Sequence, residues 1–339
     1  LNICLKKLKI DKYINFKICN QDVTHPKPNP EIYFKIFIKY GIFPYEALIL
    51  EDSSYGRQAA ISSGANLMPI KEIKDVTLKN IKTYINSYSK MKDNFKKQWE
   101  DNKLNILIPM AGAGKRFADA GYTFPKPLIE INNKPMIQWV VDCLNIKANF
   151  IFLILKEHQE KYNISSVLKI LKPNCKIIEI DQLTEGAACT TLLAEKFIDN
   201  NNPLIIANSD QFIKWNSSSV MYNITTKKLD GAILTFKSIH PKWSYVKANE
   251  NHIVSEVAEK KVISDRATVG VYYWKYGSDY VKYAKKMIQN NIRVNNEFYV
   301  CPVYNQALED NKIIKAVDVD EMIGLGTPED LNIFIKKIS

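Results

Sequence analysis

Short apolar runs alternate with amphipathic stretches after residue 104, and this alternation constrains the fold more than any other feature. Strand-like runs occupy residues 104–108, 150–155, 176–180, 204–207 and 231–236. Helical patterns separate the early runs, as in residues 135–144, where Pro135 suits the first turn. This order predicts an α/β fold with a doubly wound, mostly parallel (Rossmann-like) sheet that binds ligands at the carboxyl ends of its strands. The β-rich stretch 231–274 breaks the alternation, and we expect it to form a wall over a second substrate.

The chain is long enough for two domains. Its 339 residues can bury two separate cores. Residues 71–103 are polar and rich in lysine, and the few apolar residues among them fall at helical spacing. We therefore predict an N-terminal partial α/β domain at residues 1–70, a partly helical linker at 71–103 and a second domain at 104–339.

Composition excludes several classes of protein. Hydrophobic residues make up 46% and charged residues 24% of the chain, as in ordinary soluble proteins. No apolar run approaches the roughly 20 residues that a membrane span needs, so we expect no membrane partner. Six cysteines are scattered without C-x-x-C pairs, which favours reduced thiols in a cytoplasmic protein over a disulfide framework or structural zinc.

The net charge of +11 invites a nucleic-acid partner. Lysine dominates the excess, however, and the chain has no arginine-rich stripe with interleaved aromatic residues. We therefore expect no nucleic-acid partner. A mild positive field also suits substrates that are polyphosphates.

The segment after the first apolar run carries the clearest chemical signal. Gly112 and Gly114 lie in a short loop whose backbone N–H groups suit a phosphate, and Lys115 and Arg116 add cations. The loop is not a P-loop, because Arg116 stands where Ser or Thr is needed. It is not a dinucleotide loop either, because Phe117 replaces the third glycine.

Two further charged residues extend this candidate phosphate site. Lys126, in a Pro-Lys-Pro motif, is a point charge suited to a phosphate under attack. Asp210 follows the strand-like run 204–207. A carboxylate there suits Mg²⁺, which binds through one or two carboxylates together with substrate phosphates.

The order of these motifs resembles the sugar-phosphate nucleotidyltransferase family over residues 104–339. That family reads as a strand, G-x-G-x-R, P-K-P, a base loop with Gln and Gly, a strand ending in Asp, E-K, and a late G-T-P-E-D. The resemblance implies that an NTP and a sugar 1-phosphate, or a similar small phosphate, give an NDP-sugar and pyrophosphate. It implies catalytic roles for Arg116, Lys126 and Asp210, with Asp210 as the Mg²⁺ ligand; nucleotide binding by Ala111, Gly112, Gly114, Lys115, Gln182 and Gly186; and substrate binding by Glu259, Lys260, Gly270 and Glu297.

Two departures from the family pattern leave parts of this interpretation open. Many members carry a second metal-binding Asp shortly before G-T-P-E-D, where this chain has Gly324. Either Asp320 or Glu321 replaces it, or the second ligand is absent. Ala187 stands in the base loop where Thr is common, while Gln182 can pair with a pyrimidine edge, which favours CTP or UTP.

The sequence leaves the acceptor open. Two groups of aromatic and polar residues are expected near it, namely Trp243, Ser244 and Tyr245, and Asn296, Glu297 and Tyr299. Such surroundings suit sugar hydroxyls, and they equally suit a phosphocholine-like acceptor through cation–π contact. A sugar acceptor would make the product a precursor of surface polysaccharides. Whether the protein forms a homo-oligomer stays open.

The first 70 residues resemble the second half of a haloacid dehalogenase-like phosphatase. A helical pattern over 31–40 follows Lys27, and a short strand pattern at 47–50 ends in Glu51 and Asp52. The resemblance implies that Lys27 neutralises a phosphoaspartate and that the two acids bind Mg²⁺. The family's D-x-D nucleophile motif and first strand are missing, and the chain begins at Leu1 rather than Met. We therefore expect a truncated form with a vestigial site and no phosphatase turnover.

Two other functions stay open beside nucleotidyl transfer. One is a phosphatase in an intact parent protein. The other is a catalytically silent module that binds a nucleotide or sugar, and Gly324 keeps that alternative open.

Overall fold

The computed structural model describes residues 2–90 and 98–338. The chain divides into two units, Leu1–Lys97 and Gln98–Ser339. Each unit has its own core and is described by itself.

The first unit pairs two parallel strands and surrounds them with helices. The strands are β1 (Leu48–Glu51) and β2 (Asn66–Pro69), and the helices are α1 (Asn2–Lys7), α2 (Glu31–Tyr40), α3 (Ser54–Ser63) and α4 (Leu78–Lys90). The predicted helix over 31–40 and the short strand near 47–50 are confirmed. The helical spacing in the lysine-rich stretch corresponds to α4.

The core of the first unit is small and lies between helix and strand. Ile32, Tyr33 and Phe37 form the buried face of α2. They pack with Ile49 of β1 and with the two small residues Ala59 and Ala60 of α3. The apolar periodicity of α2 therefore decides which of its faces meets the sheet.

The second unit contains the long alternation of strands and helices. Its strands are β3 (Trp99–Pro109), β4 (Glu130–Ile131), β5 (Lys134–Pro135), β6 (Ile146–Leu155), β7 (Lys176–Ile180), β8 (Leu204–Ala207), β9 (Gln211–Lys214), β10 (Gly231–Lys237), β11 (Tyr245–Ala248), β12 (Val254–Ala258), β13 (Arg266–Trp274), β14 (Ile314–Asp318) and β15 (Glu321–Gly324). Its helices are α5 (Lys115–Asp119), α6 (Met136–Leu144), α7 (Lys156–Tyr162), α8 (Ile164–Leu171), α9 (Ala187–Leu192), α10 (Glu195–Ile198), α11 (Ser217–Thr226), α12 (Gly277–Gln289), α13 (Val303–Glu309) and α14 (Pro328–Ile338). Among the described residues, no helix is both long and apolar enough to cross a membrane.

Nine of these strands form one sheet, and seven of the nine run in the same direction, all except β12 and β13. The main path is β7-β6-β3-β8-β13-β10-β14, with β13 antiparallel to both of its neighbours. A hairpin of β11 and β12 joins through a pairing of β11 with β13. The predicted mostly parallel α/β sheet is therefore confirmed, and the β-rich stretch 231–274 contains the antiparallel part.

The predicted strands differ from the observed ones mainly at their ends. β3 begins at Trp99, five residues before the predicted start, because residues 99–100 also pair with β6. Pro135 precedes α6 as its N-cap residue instead of occupying the first turn. Neither shift moves the carboxyl end of a strand, so the edge of the sheet that faces ligands is unchanged.

A stack of aromatic rings consolidates the core beneath β13. The ring of Trp274 lies parallel to that of Tyr304, with centroids 4.3 Å apart. The hydroxyl of Tyr304 donates to the carbonyl oxygens of Ala232 and Tyr273, at 3.2 and 2.9 Å. Trp274 therefore ties the antiparallel part of the sheet to α13, on which Tyr304 lies.

We expect Trp274→Ala to destabilise the second unit by about 3–5 kcal/mol, because it removes a buried aromatic ring and leaves a cavity. All five tryptophans lie between residues 99 and 274, so tryptophan fluorescence during urea unfolding reports on this unit alone. The matched control is Ile170→Ala on α8, where the side chain is 80% exposed. It should change the unfolding free energy by no more than about 0.5 kcal/mol. Equal losses in the two variants would contradict the assignment of Trp274 to the core.

Candidate active site

A cavity of about 710 Å³ opens at the carboxyl ends of the central parallel strands. The chain leaves β3 and β8 at this edge, because the two strands are parallel neighbours. The cavity brings together ten of the residues that the sequence singled out: Gly112, Gly114, Lys115, Arg116, Lys126, Asp210, Glu259, Lys260, Gly270 and Glu297. Residues far apart in sequence therefore meet where an α/β sheet places its ligands.

The loop after β3 is anchored by one apolar residue. Gly114 has a φ of 61° and precedes α5, and the N–H of Phe117 donates to its carbonyl oxygen at 3.0 Å. Phe117 is buried in a cluster with Ile129 and Phe334. The loop thus stays in place while Lys115 and Arg116, at its exposed end, line the cavity.

Lys126 and Asp210 form an ion pair inside the cavity. The Nζ atom of Lys126 lies 2.8 Å from an Oδ atom of Asp210, and each side chain is about a quarter exposed. The carbonyl oxygen of Asp210 also accepts a hydrogen bond from the N–H of Leu325 at 2.7 Å. These contacts bring the P-K-P motif, the end of β8 and the segment after β15 to one point.

Asp210 has the surroundings of a ligand for a hard cation. A Cβ atom placed on Gly326 would lie 3.0 Å from its Oδ2 atom, so the glycine leaves room beside the carboxylate. Among residues 2–90 and 98–338, no group of three or more His, Cys, Asp or Glu side chains converges as a metal site. One carboxylate that shares a cation with substrate phosphates is the arrangement typical of Mg²⁺.

Gly270 is required by a close backbone approach. It has a φ of 77°, and a Cβ atom there would lie 2.3 Å from the Nδ2 atom of Asn208. The N–H of Asn208 donates to the carbonyl oxygen of Gly270 at 2.8 Å. Gly270 thereby joins β13 to the segment after β8, just before Asp210.

The side of the cavity formed by the β11–β12 hairpin carries a carboxylate in low-dielectric surroundings. Glu259 accepts a hydrogen bond of 2.5 Å from the hydroxyl of Ser244. Burial raises the pKa of the Glu259 carboxyl above its ordinary value, and this hydrogen bond opposes the effect only in part. Next to it, the ammonium group of Lys260 lies 2.5 Å from the hydroxyl of Tyr299 and 4.5 Å from its ring centroid.

Of the residues expected near the acceptor, four line the cavity and two do not. Trp243, Ser244, Glu297 and Tyr299 line it, whereas Tyr245 and Asn296 are not among its walls. Tyr245 is fully buried, and its hydroxyl donates to the carbonyl oxygen of His240 at 2.7 Å. Its place is therefore in the core.

Three residues of the predicted nucleotide site do not line the cavity. Ala111 is buried behind the phosphate loop, and Gln182 is exposed on the base loop. Gly186 lies against the backbone of Phe298, where a Cβ atom would come within 2.5 Å of the backbone nitrogen. The next residue, Ala187, does line the cavity. The loop therefore contacts the cavity at Ala187 and not at the predicted Gly186.

The cavity also contains charged and polar residues that the sequence did not single out. The Nζ atom of Lys242 lies 2.7 Å from an Oδ atom of Asp330 and 4.6 Å from the ring centroid of Trp243. Asn208 and Gln211 flank Asp210 in the chain and also line the cavity. Asp330 is the last residue of the G-T-P-E-D motif, and Gln211 directly follows Asp210. Neither position belongs to a hydrophobic pattern that would have indicated a place in the cavity.

Trp243 and Asp330 face Gly324, the position where the family pattern would place a second carboxylate. A Cβ atom on Gly324 would lie 2.8 Å from the tip of the Trp243 ring and 3.4 Å from an Oδ atom of Asp330. Neither Asp320 nor Glu321 is among the residues that line the cavity, and Glu321 pairs with Lys337. Of these three acidic residues, Asp330 is the one whose carboxylate lies beside Gly324.

The predicted vestigial site of the first unit is closed by its own side chains. Lys27 and Tyr33 both contact the carboxylate of Glu51, which is buried. A Cβ atom on Gly56 would clash with that carboxylate. Asp52, in contrast, is exposed. The structure thus brings Lys27 to Glu51 but leaves Asp52 at the surface.

We expect Gly270→Ala to lower the stability of the second unit by about 1–3 kcal/mol, because the alanine must adopt a positive φ and displace Asn208. Thermal unfolding followed by tryptophan fluorescence measures the change. Gly112→Ala is the matched control, since a Cβ atom there meets nothing within 4 Å. If Gly112→Ala lowered stability as much as Gly270→Ala, the loss could not be attributed to the positive φ of residue 270 and its contact with Asn208.

The raised pKa of Glu259 predicts a stability effect of defined sign. The folded protein keeps the Glu259 proton at pH values where the unfolded chain, with an ordinary pKa of 4.5, has lost it. Ionisation of Glu259 therefore reduces stability as the pH rises above 4.5. The melting temperature of Glu259→Gln minus that of the unmodified protein should rise with pH above this point and then level off.

Glu329→Gln provides a control of opposite sign for this pH series. Hydrogen bonds at the start of α14 lower the pKa of Glu329, so its ionised form stabilises the fold above the ordinary pKa. Its removal should lower the melting temperature at neutral pH and have no effect in acid. A flat difference curve for Glu259→Gln would contradict the effect of burial.

Comparisons with known proteins give two matches along the chain. The family model described as Nucleotidyl transferase matches residues 106–331, and the model described as Haloacid dehalogenase-like hydrolase matches residues 1–70. The chain is 25% identical over 252 residues to the bifunctional protein GlmU of Thermodesulfovibrio yellowstonii, covering 69% of this chain and 52% of that protein. It is 26% identical over 187 residues to a mannose-1-phosphate guanyltransferase of Aspergillus oryzae, covering 50% of this chain and 49% of that one.

Among solved structures, a nucleoside-diphosphate-sugar pyrophosphorylase from Vibrio cholerae has the same fold. It superposes with a TM-score of 0.60 at 24% identity, covering 68% of this chain and 99% of that one. The chain spans about half the length of the two curated relatives named above.

Proposed function

We propose that this chain, which belongs to the nucleotidyl transferase family, transfers a nucleotidyl group from a nucleoside triphosphate to a small phosphorylated acceptor and releases pyrophosphate. One observation carries the proposal. The Lys126–Asp210 ion pair, with its 2.8 Å contact, lies in the same cavity as the Gly112–Gly114 loop. That combination supplies fixed cations for phosphates and a carboxylate for a hard metal ion.

The proposed reaction needs positioning and charge, and no covalent intermediate on the protein. An oxygen of the acceptor phosphate forms a bond to the α-phosphorus, and the bond from that phosphorus to the bridging oxygen of the β-phosphate breaks. Pyrophosphate leaves with the electron pair. Lys115 and Arg116 bind its oxygens, and Lys126 neutralises charge on the α-phosphate.

Asp210 is the residue that would hold Mg²⁺. The ion, when bound, supplies positive charge that offsets the negative charge of the phosphates. Before substrate binds, Lys126 neutralises Asp210. When the triphosphate enters, Lys126 can move from the carboxylate to a phosphate oxygen, so the site does not hold an uncompensated charge at either stage.

The acceptor is a sugar 1-phosphate or a similar small phosphate, contacted by Glu259, Lys260 and Glu297. The names of the relatives, which include a mannose-1-phosphate guanyltransferase, support this class. On the nucleotide side, the base loop with Gln182 and Ala187 favours CTP or UTP. A sugar acceptor would make the product a precursor for surface polysaccharides.

The proposed division of the chain assigns this activity to residues 104–339, with a linker at 71–103. Residues 1–70 form a partial haloacid dehalogenase-like domain that does not turn over phosphate esters. The support is that the buried carboxylate of Glu51 is already engaged by Lys27 and Tyr33. The Glu51 side chain is 10% exposed, compared with 28% for that of Asp210, so a metal ion from solvent has much less access to it.

We expect Asp210→Asn to reduce pyrophosphate release by roughly 10²–10³-fold, because it removes the charge that holds the metal ion and orients Lys126. The measurement is a coupled pyrophosphate assay with each NTP, Mg²⁺ and a panel of sugar 1-phosphates. Asp142→Asn is the control, since Asp142 pairs with Lys134 on the exposed side of α6 and should leave turnover unchanged.

Two results of this assay would contradict parts of the proposal. Full turnover by Asp210→Asn would remove the metal assignment. Nucleotide binding by the unmodified protein without pyrophosphate release for any pair of substrates would favour a silent binding module instead.

A further inference from the structure

One buried amide in the cavity has no partner. Gln211 is 2% exposed and is among the residues that line the cavity. Neither its Nε2 nor its Oε1 atom has a hydrogen-bond partner among the residues that the structure describes. Buried side-chain amides are almost always hydrogen-bonded, because the loss of water is otherwise not compensated.

A second buried glutamine shows what a satisfied amide looks like in this fold. Gln306, on α13, is also 2% exposed. Its Oε1 atom accepts from the amide of Asn290 at 3.4 Å, and its Nε2 atom donates to Glu309 at 3.3 Å. Gln306 is not among the residues that line the cavity. The two glutamines therefore differ in hydrogen bonding and location and not in burial.

The strand pairing determines the direction of the Gln211 side chain. Gln211 begins β9 and lies opposite Gly324 of β15 in an antiparallel pair. Side chains of directly opposite residues lie on the same face of such a pair. Gln211 therefore projects to the face where a side chain on Gly324 would meet Trp243 and Asp330.

Because residue 324 has no side chain, the Trp243 ring can approach this face of the strand pair. The tip of the indole ring lies where the Cβ atom would clash at 2.8 Å, and opposite Cβ positions in such a pair are only about 5 Å apart. The indole tip and the Gln211 side chain therefore lie on the same face of the strand pair, and both line the cavity.

The chemistry of the amide indicates the kind of group that it binds. A carboxamide has two N–H donors and one carbonyl acceptor. Neighbouring hydroxyl groups of a sugar or polyol can satisfy both ends at once, whereas a quaternary ammonium group offers no donor or acceptor. The ammonium groups of Lys242 and Lys260 already lie over the rings of Trp243 and Tyr299, at 4.6 and 4.5 Å from the centroids, and their charge disfavours a further cation beside these rings.

We propose that Gln211 selects the acceptor, by hydrogen bonds from its side-chain amide to hydroxyl groups of a sugar or polyol phosphate. The inference rests on the proposed nucleotidyl transfer and narrows its acceptor from any small phosphate to a hydroxylated one. Gln211 lies next to Asp210 in the chain, so the selected hydroxyl groups lie close to the reacting phosphate. Gly324 has a role in this arrangement, because it leaves the space that Trp243 occupies.

The test compares Gln211→Met with Gln306→Met, since methionine keeps the unbranched shape and removes the amide. Binding of mannose 1-phosphate, glucose 1-phosphate, glycerol 3-phosphate and phosphocholine is measured by calorimetry, with the unmodified protein alongside. The same proteins are melted without ligand, and NTP affinity is measured separately. None of these readouts requires turnover.

We expect Gln211→Met to weaken binding of the tightest hydroxylated probe by roughly tenfold or more. Its affinity for NTP and for phosphocholine should not change, and its melting temperature should not fall, because the amide it loses is unsatisfied. Gln306→Met should show the reverse, with a lower melting temperature and unchanged binding of every probe.

The outcomes separate this inference from the proposed function. Unchanged binding of hydroxylated probes by Gln211→Met would overturn the inference, and so would a fall in melting temperature equal to that of Gln306→Met. Failure of the unmodified protein to bind any hydroxylated probe, or tighter binding of phosphocholine, would overturn it as well. Probe binding that depends on Gln211 without pyrophosphate release from any NTP would support the inference while the proposed transfer fails.

Discussion

The parallel pairing of β3 with β8 is the constraint on which the site depends. Both strands end at the same edge of the sheet, so the phosphate loop after β3 and the segment after β8 that carries Asp210 emerge side by side. The ion pair between Lys126 and Asp210 spans 84 residues of sequence and closes only because of this pairing. Had β8 been antiparallel to β3, as β13 is to β8, Asp210 would lie at the opposite edge of the sheet.

Paired charges explain how a cavity lined by many charged side chains stays stable. Five basic side chains and four carboxylates line it, so its formal charge is small. Lys126 pairs with Asp210 and Lys242 with Asp330. Each pair lowers the free-energy cost of partial burial. Unpaired lysines in such a cavity would repel one another and lower the stability of the fold.

Gly324 shows how the absence of a side chain changes the surroundings of a site. In a strand that faces the cavity, a missing side chain leaves a volume that a neighbour fills, because protein interiors do not keep voids. Here the Trp243 ring and the Asp330 carboxylate face that volume. A glycine at this position therefore affects the shape of the cavity as well as the number of carboxylates that line it.

The sequence by itself determined the elements and the types of residue that line the cavity. Apolar runs of four to six residues located five strands of the main sheet, and the periodicity of 31–40 located α2, because burial on one face imposes a spacing that local sequence retains. The motifs likewise identified Arg116, Lys126, Asp210 and Glu259. Only the tertiary structure decided which of these residues meet, that Gln182 lies exposed away from the cavity, and that Lys242, Asp330 and Gln211 join the site. Those contacts depend on strand order, register and the space left by single glycines, and these are set by packing between distant segments that no local pattern records.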